Sequence, residues 1–275
     1  MVHDQRSALS GYLNGLLSAG RTVFAADEAQ QALGVNRGSF LDAAERLQRR
    51  KVLLSPRRGF YVVVPPQFAS WGAPPPAWYI DALMRHEAQP YYVGLLKAAE
   101  LHGAAHQAVM EFQVVTAKRL PKIRAGRSLI AFYYRKDMAS VAGEIEDRKT
   151  DTGKMKISSA ALTAIDLLRY PQASGGIDNV ATVLAELAEK IDSSHLAALA
   201  EKAERPVVQR LGYLLDRLGH QAKAQPMFDA LTARGPAPWT ELDRQQVRHP
   251  DFTIPPQERD PRWHVVVRHL PEPDE

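Results

Sequence analysis

The sequence predicts an α+β protein: an N-terminal winged helix-turn-helix, then a larger mixed α/β domain that becomes helix-rich in its second half. Three observations predict it. Residues 1–64 read as helix, short strand, helix, glycine turn, helix and basic hairpin. Short apolar β-runs then mix with helical periods as far as Ser158. From Ser159 onward the apolar spacing is almost entirely helical.

Leu9, Leu13, Leu16 and Leu17, with Ala8 and Tyr12, recur at helical spacing, so residues 5–19 form an amphipathic helix that Gly20 closes. Thr22 to Phe24 is a short β-like stretch. Ala26, Ala29, Ala32 and Leu33 make a second apolar stripe, ended by Gly34, the residue type that most easily turns left-handed. Asn36 is a fitting N-cap for a third helix whose buried stripe is Phe40, Ala43, Ala44 and Leu47 and which ends near Lys51. Val52–Ser55 and Phe60–Val64 then read as two strands joined by the basic turn Pro56-Arg57-Arg58-Gly59.

Pro65-Pro66 and Pro74-Pro75-Pro76 bracket a segment with no helical period, so residues 65–78 are read as a proline-rich linker and 79–275 as the second domain. Trp71 and Trp78 imply that this segment packs rather than swings freely. Beyond it, Ile80 to Arg85 and Tyr92 to His106 look helical, and Phe112–Thr116, Ser128–Tyr134 and Met155–Ser158 look like strands. Helical periods follow over Leu162–Leu168, Val180–Ile191, Leu196–Leu199 and Val208–Leu218, before a last strand at Trp263–Val267 and an acidic tail.

A chain of 275 residues with 45% apolar and 24% charged side chains can bury a core and hold two unequal domains. It contains no cysteine, which excludes a disulfide framework, a thiol nucleophile and thiolate zinc sites. Met1 to Ser10 has no apolar signal core and no run of 18 apolar residues occurs, so a cytoplasmic protein without membrane contact is expected.

The net charge of +4 is unevenly placed. Residues 1–64 hold nine basic and five acidic side chains, and the rest of the chain holds 26 of each. Within that neutral remainder, residues 118–156 hold eleven basic against five acidic side chains. Each island supplies a local positive field with a reach of about 8–10 Å at physiological salt.

In a helix-turn-helix the second helix of the pair enters the major groove, its N-terminal residues nearest the base edges. Here those residues are Asn36, Arg37, Gly38 and Ser39. Arg37 suits guanine, and Asn36 suits adenine if its side chain is not fully used as a cap. Arg46 and Arg49, farther along, suit phosphate, and Arg57 and Arg58 at the wing suit backbone or minor groove. The alternative is a protein-docking module whose arginines are solvated. The second island comprises Lys118, Arg119, Lys122, Arg124, Arg127, Arg148, Lys149, Lys154 and Lys156, with Arg135 and Lys136. It reads either as a surface for nucleic acid or an acidic partner, or as solvent-facing charge on strands and loops.

Enzyme-like signals are weak. His102 and His106 stand at metal-like spacing, but the His-Glu-x-x-His order is absent, so no metal is expected. Lys149 to Lys154 lacks the first glycine of a phosphate loop and reads as a turn. Glu111-Phe112-Gln113 opens a β-stretch as a nuclease carboxylate would, but Gln113 stands where a lysine is needed. Asp166 and Arg169 are most simply a helical ion pair. No cofactor and no catalytic residue is assigned.

Several segments together resemble one family. Tyr91-Tyr92-Val93-Gly94-Leu95, Ala98-Ala99-Glu100-Leu101-His102-Gly103-Ala104-Ala105-His106-Gln107, Lys149-Thr150 with Thr152-Gly153, Ser158 to Leu167 with Arg169-Tyr170, and Gln209-Arg210-Leu211-Gly212-Tyr213-Leu214-Leu215 follow in the order seen in AbiEi-type antitoxins of abortive-infection (type IV) toxin–antitoxin systems. The resemblance implies a repressor that binds inverted repeats in its own operon's promoter and counteracts a nucleotidyltransferase-like toxin, without catalysis. It leaves open whether antitoxicity needs a direct toxin complex. A monomer or weak dimer is expected, since no coiled-coil seam requires more.

Overall fold

The computed structural model describes residues 2–104, 109–243 and 254–271. These are α+β, as expected, and divide into two compact units that are discontinuous in sequence: Met1–Tyr92, Met110–Met138 and Asp147–Lys156 in the first, Val93–Val109, Ala139–Glu146 and Ile157–Glu275 in the second.

The first unit begins with α1 (Val2–Ser18), β1 (Val23–Ala25), α2 (Ala26–Leu33), α3 (Arg37–Arg49), β2 (Leu53–Arg57) and β3 (Phe60–Val63). Leu9, Leu13 and Leu16 of α1 pack with Phe24, Ala29, Phe40, Ala44, Leu47, Leu53 and Tyr61 in one core. Phe24 stacks on Tyr61 at 5.4 Å, and Phe40 meets the same ring edge-on at 5.4 Å. Burying each of these rings contributes about 1.5–3 kcal/mol. Gly34 takes φ 64 at the end of α2, the left-handed turn anticipated for it. Strands β1, β3 and β2 form an antiparallel sheet in that order. The wing turn is shorter than the sequence suggested: Pro56 and Arg57 belong to β2, where the register shifts between Leu54 and Arg57, and only Arg58 and Gly59 turn. A proline is tolerated there because an irregular ladder needs no N–H from it.

The proline-rich segment is a structured strap. Two 3-10 turns, Pro66–Phe68 and Pro76–Trp78, bound it. It leads to α4 (Ile80–His86), β4 (Tyr91–Val93), β5 (Glu111–Thr116), β6 (Ile123–Ala125), β7 (Ser128–Tyr134), β8 (Ile145–Thr150) and β9 (Gly153–Ser158). These strands make a six-stranded sheet of order β6-β7-β5-β4-β9-β8, with β5–β7 and β4–β9 parallel. The strap ties turns at both edges of this sheet. At one edge the Arg127 N–H donates to the Trp71 carbonyl (3.0 Å), and at the other the Trp78 indole N–H donates to Asp151 (2.9 Å) while Thr152 Oγ1 donates to the Trp78 carbonyl (2.9 Å).

The sequence expected one helix over Tyr92–His106. Instead, Tyr91–Val93 is a wholly buried strand between β5 and β9, and the helix, α5, covers only Leu95–Leu101. A short apolar run fits a buried strand as well as a buried helix, and only its neighbours decide.

The second unit gathers α5, α6 (Ala160–Arg169), α7 (Gly176–Leu187), α8 (Ser193–Ala200), α9 (Arg205–Arg217) and α10 (Gln221–Ala233) around the almost wholly buried α6. Ser159 caps α6, its Oγ accepting from the Leu162 N–H at 3.1 Å. The small strands β10 (Thr240–Glu241), β11 (Glu258–Asp260) and β12 (Val265–Val267) pair in the order β10-β12-β11. The apolar spacing gives no sign of β6, β8, β10, β11 or α10, and the last strand is shorter than Trp263–Val267.

Candidate nucleic-acid interface

The N-terminus of α3 is built by one side chain. Asn36 Oδ1 accepts the Ser39 N–H at 2.9 Å, and its extended backbone (φ −73, ψ 164) starts the helix. The Asn36 oxygen is therefore engaged as the cap, while the N–H groups of Arg37 and Gly38 have no intrahelical acceptor. The stripe Phe40, Ala43, Ala44, Leu47 is buried, which turns Arg37, Leu41, Glu45 and Arg49 outward on one exposed line. Glu45 and Arg49 pair at 2.5 Å along that line, and Arg46 lies half-buried beside it. Leu41, 43% exposed, was not singled out from the sequence, although its place outside the buried stripe marks it.

The two wing arginines separate. Arg57 is turned inward: its Nε pairs with Glu87 at 2.9 Å, its Nη2 donates to the Pro121 carbonyl at 2.8 Å, and its guanidinium lies 5.6 Å from the Phe132 ring centroid. Arg58 is exposed, while its carbonyl accepts from His86 Nε2 at 3.0 Å. The wing backbone is thereby fixed in place.

Contiguous in sequence, the second basic island is split by the sheet. Lys118, Arg119, Lys122, Arg124 and Arg127 lie on the β5–β6 loop, β6 and the β6–β7 turn, all exposed. Arg148, Lys149, Lys154 and Lys156 lie on β8 and β9 at the far edge. Four to five strand spacings separate β6 from β9 and β8, about 19–24 Å, about twice the screening length or more. At the far edge Lys154 and Lys156 share Asp147, at 2.6 and 3.4 Å, and these lysines hold the Asp147 carboxyl below its ordinary pKa. Arg135 is buried, its Nε donating to the Tyr92 hydroxyl at 3.0 Å.

The enzyme-like residues are used in packing. Glu111 accepts from Lys122 (2.5 Å) and from the Tyr133 hydroxyl (3.0 Å). Burial and the neighbouring Glu111 carboxylate push the Tyr133 hydroxyl up to about 12. His102 Nε2 donates to the Ser158 carbonyl at 2.8 Å. His106 lies outside the described residues, as do Ala105, Gln107 and the acidic tail after Pro271. Among the described residues no group of three or more His, Cys, Asp or Glu could hold a metal ion. Arg169 pairs with Glu204 at 2.6 Å.

The stretch Gln209 to Leu215 of α9 holds the small β-sheet. Gln209 Nε2 donates to the Pro238 and Trp263 carbonyls (2.8 and 2.9 Å), Arg210 Nε to the Glu241 carbonyl (2.8 Å), and Tyr213 to Glu258 (3.2 Å). Gly212 leaves room for Trp263, whose ring would lie 2.3 Å from an added Cβ. Trp263 in turn donates to Asp216 at 2.7 Å.

No curated protein sequence matches the chain. The chain is similar in fold to the crystal structure of the RV2827C protein from Mycobacterium tuberculosis, with a TM-score of 0.69, 18% identity, and coverage of 95% of this chain and 91% of that one. No helix among the described residues is long and apolar enough to cross a membrane. Residues 92–217, from β4 to the end of α9, match the family model of the AbiEi antitoxin C-terminal domain, a match that supports an AbiEi-type antitoxin.

Proposed function

We propose that this protein is an AbiEi-type antitoxin and a DNA-binding repressor, which binds inverted repeats in its own operon's promoter through a winged helix-turn-helix and counteracts a cognate nucleotidyltransferase-like toxin. One observation carries the DNA-binding half: the capped N-terminus of α3 presents Arg37 and unbonded backbone N–H groups on an exposed face, beside a helix stripe buried in its own core. On this reading Arg37 contacts a base edge, the Leu41 side chain meets a thymine methyl, and Arg58 at the wing neutralises a phosphate. The protein acts in the cytoplasm as a monomer or weak dimer, with no cofactor and no reaction of its own.

The test is binding of the full chain to its promoter and to random duplex at several salt concentrations. Arg37→Ala should weaken promoter binding by about 1–3 kcal/mol with little effect on random DNA, and Arg58→Ala should weaken both about equally. Equal effects of the two substitutions on both duplexes would remove base reading from Arg37. A metal-dependent nuclease would instead cut DNA with Mg²⁺ and lose that activity in Glu111→Ala; the engagement of both Glu111 oxygens by Lys122 and Tyr133 favours the regulator. The toxin half is tested by co-expression with the downstream gene, which should encode a nucleotidyltransferase-like protein whose toxicity this chain relieves.

A further inference from the structure

We propose that His86 and Glu87, at the end of α4, are positioning residues for the wing: neither touches DNA, and together they raise its affinity by holding Arg58 where a phosphate meets it. This rests on the winged-helix reading above and adds to it the means by which the wing is held.

A wing tip is ordinarily a loose element. A hairpin has few contacts of its own, and a long side chain at its tip loses backbone and rotamer freedom when DNA arrives. Here the backbone share of that freedom is removed beforehand, because every carbonyl from residue 57 to residue 60 is engaged. The Ser55 hydroxyl is shared between those of Arg57 (3.0 Å) and Phe60 (3.1 Å), the Ala26 N–H donates to that of Gly59 (2.8 Å), and His86 Nε2 donates to that of Arg58 (3.0 Å). The bonds from Ser55 and Ala26 keep the shape of the hairpin. The bond from His86 comes from α4 and fixes where the exposed Arg58 stands.

Glu87 supplies a second tie one residue on. It pairs with Arg57 at 2.9 Å, and the two side chains are only 16% and 18% exposed, so water screens the pair poorly. The Phe60 ring, at the other end of the tip, lies 5.4 Å from the His86 ring.

Helix α4 is a firm support for both residues. Ile80, Leu83 and Met84 are wholly buried, and the Tyr91 hydroxyl donates to Asp81 at 3.0 Å. Ala88 takes a left-handed backbone (φ 51) and the Gln89 N–H donates to the Met84 carbonyl at 3.1 Å. The helix therefore stops directly after Glu87, with both wing partners on its final turn.

The two ties make separable predictions. Glu87 is acidic, so electrostatics alone would have its removal tighten binding to a polyanion, and a positioning role has the opposite sign. The probe is a fluorescent random-sequence duplex bound by the full chain, since a phosphate contact carries no sequence information. His86→Ala should weaken binding about two- to tenfold, the factor for ordering one long side chain on association. His86→Gln, whose amide N–H can donate to the same carbonyl, should restore it. Glu87→Ala should also weaken binding. In an Arg58→Gln background neither alanine substitution should weaken it further, whereas a general loss of folding would act in both backgrounds. Tighter binding in Glu87→Ala, a His86→Gln variant as weak as His86→Ala, or equal losses with and without Arg58 overturns the positioning role and leaves the winged-helix reading standing. Binding indifferent to Arg58→Gln overturns the wing contact and this inference with it. Failure of the wild-type chain to bind duplex in a salt-dependent way overturns the winged-helix reading itself. Should Glu87→Ala fail to fold, the cycle at exposed His86 decides alone.

Discussion

Arg57 and Arg58 are neighbours of identical chemistry, and charge counting treats them alike. Their surroundings do not: Arg57 completes a half-buried pair with Glu87, and Arg58 faces solvent. Glu87 and Pro121 lie 30 and 64 residues away, so no local pattern could have assigned the two roles. Gly212 gives the same lesson in reverse. An alanine in mid-helix normally favours folding by about 1 kcal/mol over glycine. Here its Cβ would meet the Trp263 ring at 2.3 Å, and that ring is fixed by Asp216 and by its burial. Gly212→Ala should therefore lose about 1–3 kcal/mol through overpacking, read as a lower urea midpoint by far-UV circular dichroism. A midpoint at or above that of the wild type would show that the ring has room to move.

Among the elements, those with strong periods and clear ends were legible: α1, the stripe and cap of α3, β7, and α6 to α9 stand near where the apolar spacing put them. Helix α10 was lost because Pro226 lies inside it and Ala224, Met227 and Leu231 give a sparse stripe. Strand β8 was lost because it is an edge strand of sequence Ile-Glu-Asp-Arg-Lys-Thr, with no apolar alternation to announce it. Helix α8 makes a pH prediction. Asp192 accepts from the Ser194 hydroxyl and N–H and from the His195 N–H, and these bonds hold its carboxyl below the ordinary 3.8. A depressed pKa means that its contribution is fully present above 3.8 and is lost as pH falls through the lowered value. Exchange of the Ser194 and His195 amides should accelerate over that acidic window, and Asp192→Asn should remove the pH dependence. Exchange rates that follow only the intrinsic acid dependence would reject the cap as its source.

At the scale of the molecule, each compact unit is assembled from separate stretches of the chain. Residues 1–64 share their unit with the strap, α4 and most of the six-stranded sheet, and the Phe60 ring meets His86 at 5.4 Å. A chain cut to residues 65–275 should therefore melt at a lower temperature than the full protein, because Glu87 and His86 lose their wing partners and the β6 face loses β2. Equal melting of that sheet-containing remainder would show an autonomous N-terminal domain. The same geometry makes Arg37→Ala and Arg58→Ala better tests of DNA binding than deletion, since they leave this packing whole.

The sequence by itself determined the α+β class, the helical stripes, the Asn36 cap, the basic hairpin and, through the ordered motifs ending at Gln209 to Leu215, the antitoxin family of residues 92–217. These are local or ordered patterns, and periodicity and capping are properties of neighbouring residues. Only the tertiary structure decided that Arg57 is internal, that the proline-rich segment is a strap, and that the island at 118–156 is two clusters on opposite sheet edges. Charge in sequence counts residues, but a field depends on distance. The order in which strands pair is fixed by contacts between residues far apart along the chain, and it set that distance beyond the reach of screening.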